Sequence, residues 1–108
     1  MIYAYIRVST DKQSVENQRF EILKYADVHK LVIDQWVEET VSSRKKLSDR
    51  ILGTTLNQLR ENDILIVSEL SRLGRNLMEV MSILHTCMEK DAKVHTIKEN
   101  YELGNNIN

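Results

Sequence analysis

The 108 residues predict an α/β domain built on a mostly parallel four-stranded sheet flanked by helices. Three observations carry that expectation. Strand-like and helix-like segments alternate along the chain. The third strand-like run, Ile64-Leu65-Ile66-Val67, is apolar without a break, as a central strand covered on both faces should be. The series Leu77, Val80, Met81, Leu84, Cys87 and Met88 repeats at helical spacing.

The elements follow in order. Ile2-Tyr3-Ala4-Tyr5-Ile6-Arg7-Val8 reads as the first strand, closed by the polar run Ser9 to Ser14. A helix is expected from about Val15, with Ser14 as its N-cap and Val15, Ile22, Leu23 and Ala26 on its apolar face. Leu31 to Val37 reads as the second strand, leading into a polar loop from Glu38 to Lys46. A second helix carries Ile51, Leu52, Leu56 and Leu59 and stops near Asn62, with Gly53 as a weak point. After the third strand and the last helix, Lys93 to Ile97 closes the series, and Gly104 to Asn108 is a polar tail.

Composition bounds the function. An apolar share of 42% supports one core, and the length allows one domain over residues 1–108. With 15 Lys+Arg against 16 Asp+Glu the net charge is −1, so a phosphate-binding surface must come from a local cluster and not from bulk charge. Cys87 is the only cysteine, which excludes an internal disulfide framework and a multi-Cys zinc site. His29, His85 and His95 fall in different elements at no metal-ligand spacing, and no cofactor is expected. No apolar run approaches membrane-spanning length, and Met1-Ile2-Tyr3-Ala4 does not open a signal peptide; a cytoplasmic location without membrane contact is the expectation.

In an open parallel sheet, ligands bind beyond the carboxyl ends of the strands. Three segments leave those ends, and each brings arginine: Arg7-Val8-Ser9, the stretch from Glu38 to Lys46 with Arg44, and Ser68 to Arg75 with Arg72 and Arg75. Guanidinium groups grip phosphate oxygens in a bidentate fork, so this convergence points to an oxyanion. If the first strand runs through both, Arg7 and Ser9 project to one side, placing a hydroxyl beside a fixed charge. On spacing alone the plainer reading of Ser9, a loop or capping serine, carries more weight. If Ser71 caps the last helix, Arg72 and Arg75 share its first turn, against the helix dipole. Such a mismatch made twice suggests a bound anion, with Gly74 leaving room for close approach, although a solvated helix start paired with Glu69 or Glu79 fits equally well.

Two motifs then carry a resemblance. Tyr5-Ile6-Arg7-Val8-Ser9-Thr10-Asp11-Lys12-Gln13 resembles the active-site signature of the serine recombinases, the resolvase/invertase family, and Leu70-Ser71-Arg72-Leu73-Gly74-Arg75 resembles its L-D-R-L-G-R motif. The resemblance implies a resolvase-like catalytic domain across the whole chain. It implies that Ser9 attacks a DNA phosphodiester and becomes joined to the 5′ phosphate as a 3′-hydroxyl leaves. It assigns Arg7, Arg72 and Arg75 to the scissile phosphate, Gln13 and Gln18 to polar positions at the substrate, and Arg44 to a mobile-loop arginine. It further implies double-stranded DNA as partner, no metal or ATP, and a homodimer that pairs into a synaptic homotetramer in the full-length protein. The long interface helix and C-terminal DNA-binding domain of the family are not recognisable here, so a catalytic-domain fragment is expected. One departure stands out: the motif's aspartate is Ser71. Ser71→Asp is expected to leave cleavage intact or to raise it. The rivals are a phosphate-ester hydrolase and a non-catalytic α/β module that binds a phosphorylated partner.

Overall fold

A computed structural model describes residues 1–8, 12–40 and 50–104. Strands β1 (Ile2–Val8), β2 (Gln35–Thr40), β3 (Ile64–Val67), β4 (Lys93–Thr96) and β5 (Tyr101–Leu103) form one sheet in the order β2-β1-β3-β4-β5. Helices α1 (Lys12–Val28), α2 (Ile51–Gln58) and α3 (Leu77–Glu89) cover it, and a 3-10 turn spans Leu70–Arg72. The first four strands pair in parallel, with Tyr5 opposite both Val37 and Val67. The chain moves from β1 to one side and then returns to its other side at β3. The switch point therefore falls between the carboxyl ends of β1 and β3, where such sheets place ligands.

Strand alternation divides the core. Tyr3 and Tyr5 point to one face and pack with Leu52, Leu56, Leu65, Val67, Val80, Ile83 and Val94 under α2 and α3. Ala4, Ile6 and Ile66 point to the other and pack with Ile22 under α1. Arg7 continues the Tyr3–Tyr5 alternation, so its side chain belongs to the α2/α3 face. Cys87 is fully buried there, and burial pushes its thiol up to about 11.

The structure corrects several expectations. A fifth strand, β5, joins antiparallel to β4, so the sheet has five strands and not four. At three residues, with Tyr101 and Glu102 exposed, β5 has too little apolar pattern to stand out. Asn100, at φ 58°, supplies the left-handed corner before it. Helix α1 begins at Lys12, ahead of Ser14, and Leu23 is exposed where Ile22 and Ala26 are buried. Strand β2 begins at Gln35 and runs through Glu38-Glu39-Thr40, the stretch expected to be a loop. Leu31 and Ile33 instead pack beside the α1-side core on the approach to it. Glu39 disguises the strand, being an acid that points inward and is buried. On α3 the core stripe is Val80, Ile83, Leu84 and Cys87, while Leu77, Met81 and Met88 stay exposed.

Candidate active site

Arg7 stands at the carboxyl end of β1, and its Nη1 donates to the carbonyls of Ser71 and Gly74, each at 3.4 Å. The end of the first strand is thereby tied to the turn that carries Arg72 and Arg75. Arg7, Ser71, Gly74 and Arg75 line one cleft of about 480 Å³ together with Leu77 and Met81. Arg72 lines a second, of about 510 Å³, with Gln13, Ser14, Gln18, Glu69 and Lys98.

The segment after β3 is not the start of the last helix, contrary to expectation. Glu69 is extended at φ −158° and ψ 155°, and a 3-10 turn follows in which Arg72 N donates to Glu69 O at 3.1 Å. The Glu99 carboxylate accepts from Leu70 N at 3.3 Å and satisfies the entry of that turn. Helix α3 opens four residues later with Asn76, whose side chain accepts from Glu79 N at 2.9 Å. Arg72 and Arg75 therefore lie before the helix and not in its first turn, and Ser71 is not its cap. The dipole penalty argued from the sequence does not apply at the positions supposed. Gly74 does permit a close approach, but to the protein itself: a Cβ there would meet Val80 N at 2.9 Å.

Each arginine of this segment has a carboxylate of its own. Arg72 Nε lies 3.2 Å from Glu69 Oε1, and Lys98 Nζ lies 3.1 Å from Glu69 Oε2. The Arg72 contact is one of charge only: its Nε is buried with no hydrogen-bond partner among the described residues. Arg75 is held more tightly, with Nε at 3.1 Å and Nη2 at 3.0 Å from Glu79 Oε2, and its backbone N–H donates to Oε1 at 3.1 Å. Glu79 is the third residue of α3, where a carboxylate also favours the positive helix end.

Beneath these groups lies a charged network that the sequence did not reveal. Arg50 is almost completely buried, and its guanidinium pairs with Glu79, donates to Glu39 Oε1 at 3.3 Å, and reaches Tyr5 Oη at 2.9 Å and Leu73 O at 3.0 Å. Tyr5 in turn donates to Glu39 Oε1 at 2.9 Å. Glu39 also accepts from the N–H groups of Ile51 and Leu52, so a carboxylate from β2 caps the N-terminus of α2. Burial would lower the Arg50 pKa, but Tyr5, Glu39 and Glu79 outweigh it and raise it. The only signal in the sequence was adjacent acids at Glu38-Glu39 opposite an arginine preceding an apolar helix.

Of the remaining candidates, Gln18 is buried and engaged with backbone. Its Oε1 accepts from Arg7 N at 3.1 Å, and its Nε2 donates to Arg7 O at 3.0 Å and Ser14 O at 3.3 Å. These bonds clamp the end of β1, and Gln18 also lines the second cleft. Gln13 is exposed and donates to Asn17 Oδ1 at 3.2 Å. Ser9 follows Arg7 by two residues, and it and Arg44 lie outside the described residues.

The paired acids set an acid limit. Lys98, by hydrogen bond, then Arg72 and a hydrogen bond from Ser71, hold Glu69 below its ordinary 4.5 against the effect of burial. For Glu79 burial is the largest influence and acts upward, yet the Arg75 and Arg50 contacts outweigh it and bring the pKa down. Both folded values lie below the unfolded one, so this stability is complete above 4.5 and is lost as pH falls through the folded values. Thermal melts from pH 7 to 3 should show a level midpoint that falls below pH 4.5, and Glu79→Gln should flatten that fall.

The chain matches the Resolvase, N terminal domain family over residues 2–108. It belongs to the serine recombinase (resolvase) family. The transposon Tn2501 resolvase of Escherichia coli is 35% identical over 97 residues, covering 89% of this chain and 49% of that protein. The serine recombinase PinR of Escherichia coli K12 is 36% identical over 97 residues, covering 89% and 48%. The chain thus spans about half the length of these relatives. The N-terminal catalytic domain of TP901-1 integrase superposes with a TM-score of 0.77 at 21% identity, over 94% of this chain and 79% of that one. A resolvase family site-specific recombinase from Streptococcus pneumoniae gives 0.72 at 20%, over 94% and 74%. These likenesses establish the resolvase-type α/β fold. Among the described residues no helix is long and apolar enough to cross a membrane.

Proposed function

We propose that this chain is the catalytic part of a site-specific DNA recombinase that cuts and rejoins strands through a phosphoserine bond. The observation that carries the reading is the reach of Arg7 Nη1 to the carbonyls of both Ser71 and Gly74. It ties the carboxyl end of β1, the strand that precedes Ser9 in the sequence, to the turn bearing Arg72 and Arg75, which supports a reading in which these residues serve one phosphate. In the reaction the Ser9 Oγ–phosphorus bond forms and the bond from phosphorus to the 3′ oxygen breaks. The serine loses its proton and the departing 3′ oxygen gains one. Arg7, Arg72 and Arg75 meet the charge that builds on the non-bridging oxygens, with positive groups placed in advance. The covalent bond retains the energy of the phosphodiester, so rejoining needs no nucleotide. Gln18 serves by fixing the Arg7 backbone, Gln13 lines the second cleft, and the resemblance assigns Arg44 to the same phosphate.

The partner in this reading is double-stranded DNA in the cytoplasm, engaged by a homodimer that pairs into a tetramer. With a net charge of −1 the isolated chain should hold DNA weakly, because nonspecific affinity comes from phosphate neutralisation. The test uses the complete gene product that contains this chain and supercoiled plasmid carrying the DNA that flanks its gene. After quenching in denaturing detergent, wild type should yield a protein–DNA adduct with a 5′ nucleotide on Ser9, and Ser9→Ala none. An adduct unchanged by Ser9→Ala, or steady turnover of p-nitrophenyl phosphate in place of an adduct, would overturn the reading.

A further inference from the structure

We propose that Glu69 is a positioning residue for Arg72: its carboxylate, gripped from the far side by Lys98, holds the guanidinium at the second cleft until a DNA phosphate arrives. The inference rests on the recombinase reading for its purpose, but its geometry is independent of it. Three separate elements supply the parts. Glu69 leaves β3 in an extended conformation, Arg72 closes the 3-10 turn, and Lys98 follows β4. The Lys98 backbone is fixed, its N–H donating to Ser68 O at 2.9 Å. Glu69 thus has Arg72 Nε at 3.2 Å on one oxygen and Lys98 Nζ at 3.1 Å on the other.

Position 71 explains why an acid is needed at 69. The family motif has aspartate immediately before this arginine, and this chain has Ser71, which lies in the turn between Glu69 and Arg72. After Lys98 and Arg72, the neighbouring Ser71 side chain also helps to keep Glu69 ionised. In this chain the acid of the turn stands at position 69 and a neutral hydroxyl at position 71. The arrangement also leaves Arg72 competent to exchange partners. Its buried Nε–H is close to Glu69 yet makes no hydrogen bond among the described residues, and the side chain as a whole is partly exposed, so the guanidinium is not locked to that carboxylate.

Four forms of the complete gene product test this: wild type, Glu69→Gln, Ser71→Asp and the double variant. The first readout is the initial rate of adduct formation on the plasmid DNA described above. Glu69→Gln should slow it roughly tenfold, as expected when a reacting group loses its orientation, and Ser71→Asp in that background should restore most of the loss. Ser71→Asp alone should not slow it. The second readout is the 15N signal of the Arg72 guanidinium, which needs no DNA: rotation should be restrained in wild type, freed by Glu69→Gln and restrained again in the double variant. A purely structural role for Glu69 would not be rescued from position 71. A Glu69→Gln protein with the wild-type rate and a restrained Arg72, or a double variant as slow as Glu69→Gln, overturns the inference while leaving the recombinase reading intact. Absence of any wild-type adduct, with Arg72 still restrained by Glu69, overturns the reading and leaves the positioning contact standing.

Discussion

Arg50→Met will destabilise the domain by about 3–5 kcal/mol, the usual cost of removing one member of a buried ionic group. Arg50 is 1% exposed and its guanidinium holds together β1, β2, α3 and the turn before α3 through Tyr5, Glu39, Glu79 and Leu73. Methionine retains most of the stem, so the loss isolates charge and hydrogen bonding from cavity formation. Glu39, 2% exposed, is then left with Tyr5 and two helix N–H groups but no counter-charge among the described residues. Urea unfolding of wild type, Arg50→Met, Glu39→Gln and the double variant measures it. The double variant should lose much less than the sum of the singles, since it leaves no unpaired buried charge. A loss under about 1 kcal/mol for Arg50→Met would mean that the group is solvated in a way its burial does not suggest.

That network also marks the limit of what could be read from the sequence. Local pattern identified β1, β3 and the placement of the helices, because those elements bury apolar side chains at periods of two and 3.6. Glu39 and Arg50 defeat such reasoning. Each is charged and, judged alone, belongs on the surface. Each is buried only because the other, 11 residues away, arrives at the same point once the sheet forms. The pairing is a tertiary fact, and with it went the true extent of β2. The segment from Ser68 to Asn76 failed for a related reason. Its arginines were placed on α3 by sequence proximity, whereas the helix waits for the side chain of Asn76 to cap it. The preceding residues are turned by backbone bonds that no periodicity announces. Arginines from the ends of β1 and β3 were expected to meet at one rim; Arg7 touches the backbone of the turn that carries the other two, while Arg72 lines a separate cleft from Arg7 and Arg75. The backbone clamp made by Gln18 was not legible because a glutamine near a strand end looks equally suited to ligand and backbone, and its burial appears only in the fold.

Arg72→Ala should lower the rate of adduct formation by about 10²–10³, the scale on which a preplaced donor to a developing oxyanion acts. Stability should change little, by under about 1 kcal/mol, because the pair with Glu69 is partly exposed and its geometry is that of charge without hydrogen bonding. The buried Nε–H of Arg72 has no acceptor among the described residues, so its contribution to stability is small. Arg75→Ala should behave differently. Its guanidinium is bound to Glu79, which Arg50 also holds, so removing Arg75 disturbs the buried network and costs stability as well as rate. Arg72→Lys separates charge from shape: a lysine preserves the attraction to Glu69 but cannot offer a planar fork to a phosphate, so it should recover little of the rate. Quenched time courses of the adduct, paired with thermal melts of the same preparations, distinguish the two arginines. Equal stability losses for Arg72→Ala and Arg75→Ala, or full activity in Arg72→Lys, would remove the case for Arg72 as the phosphate-gripping fork.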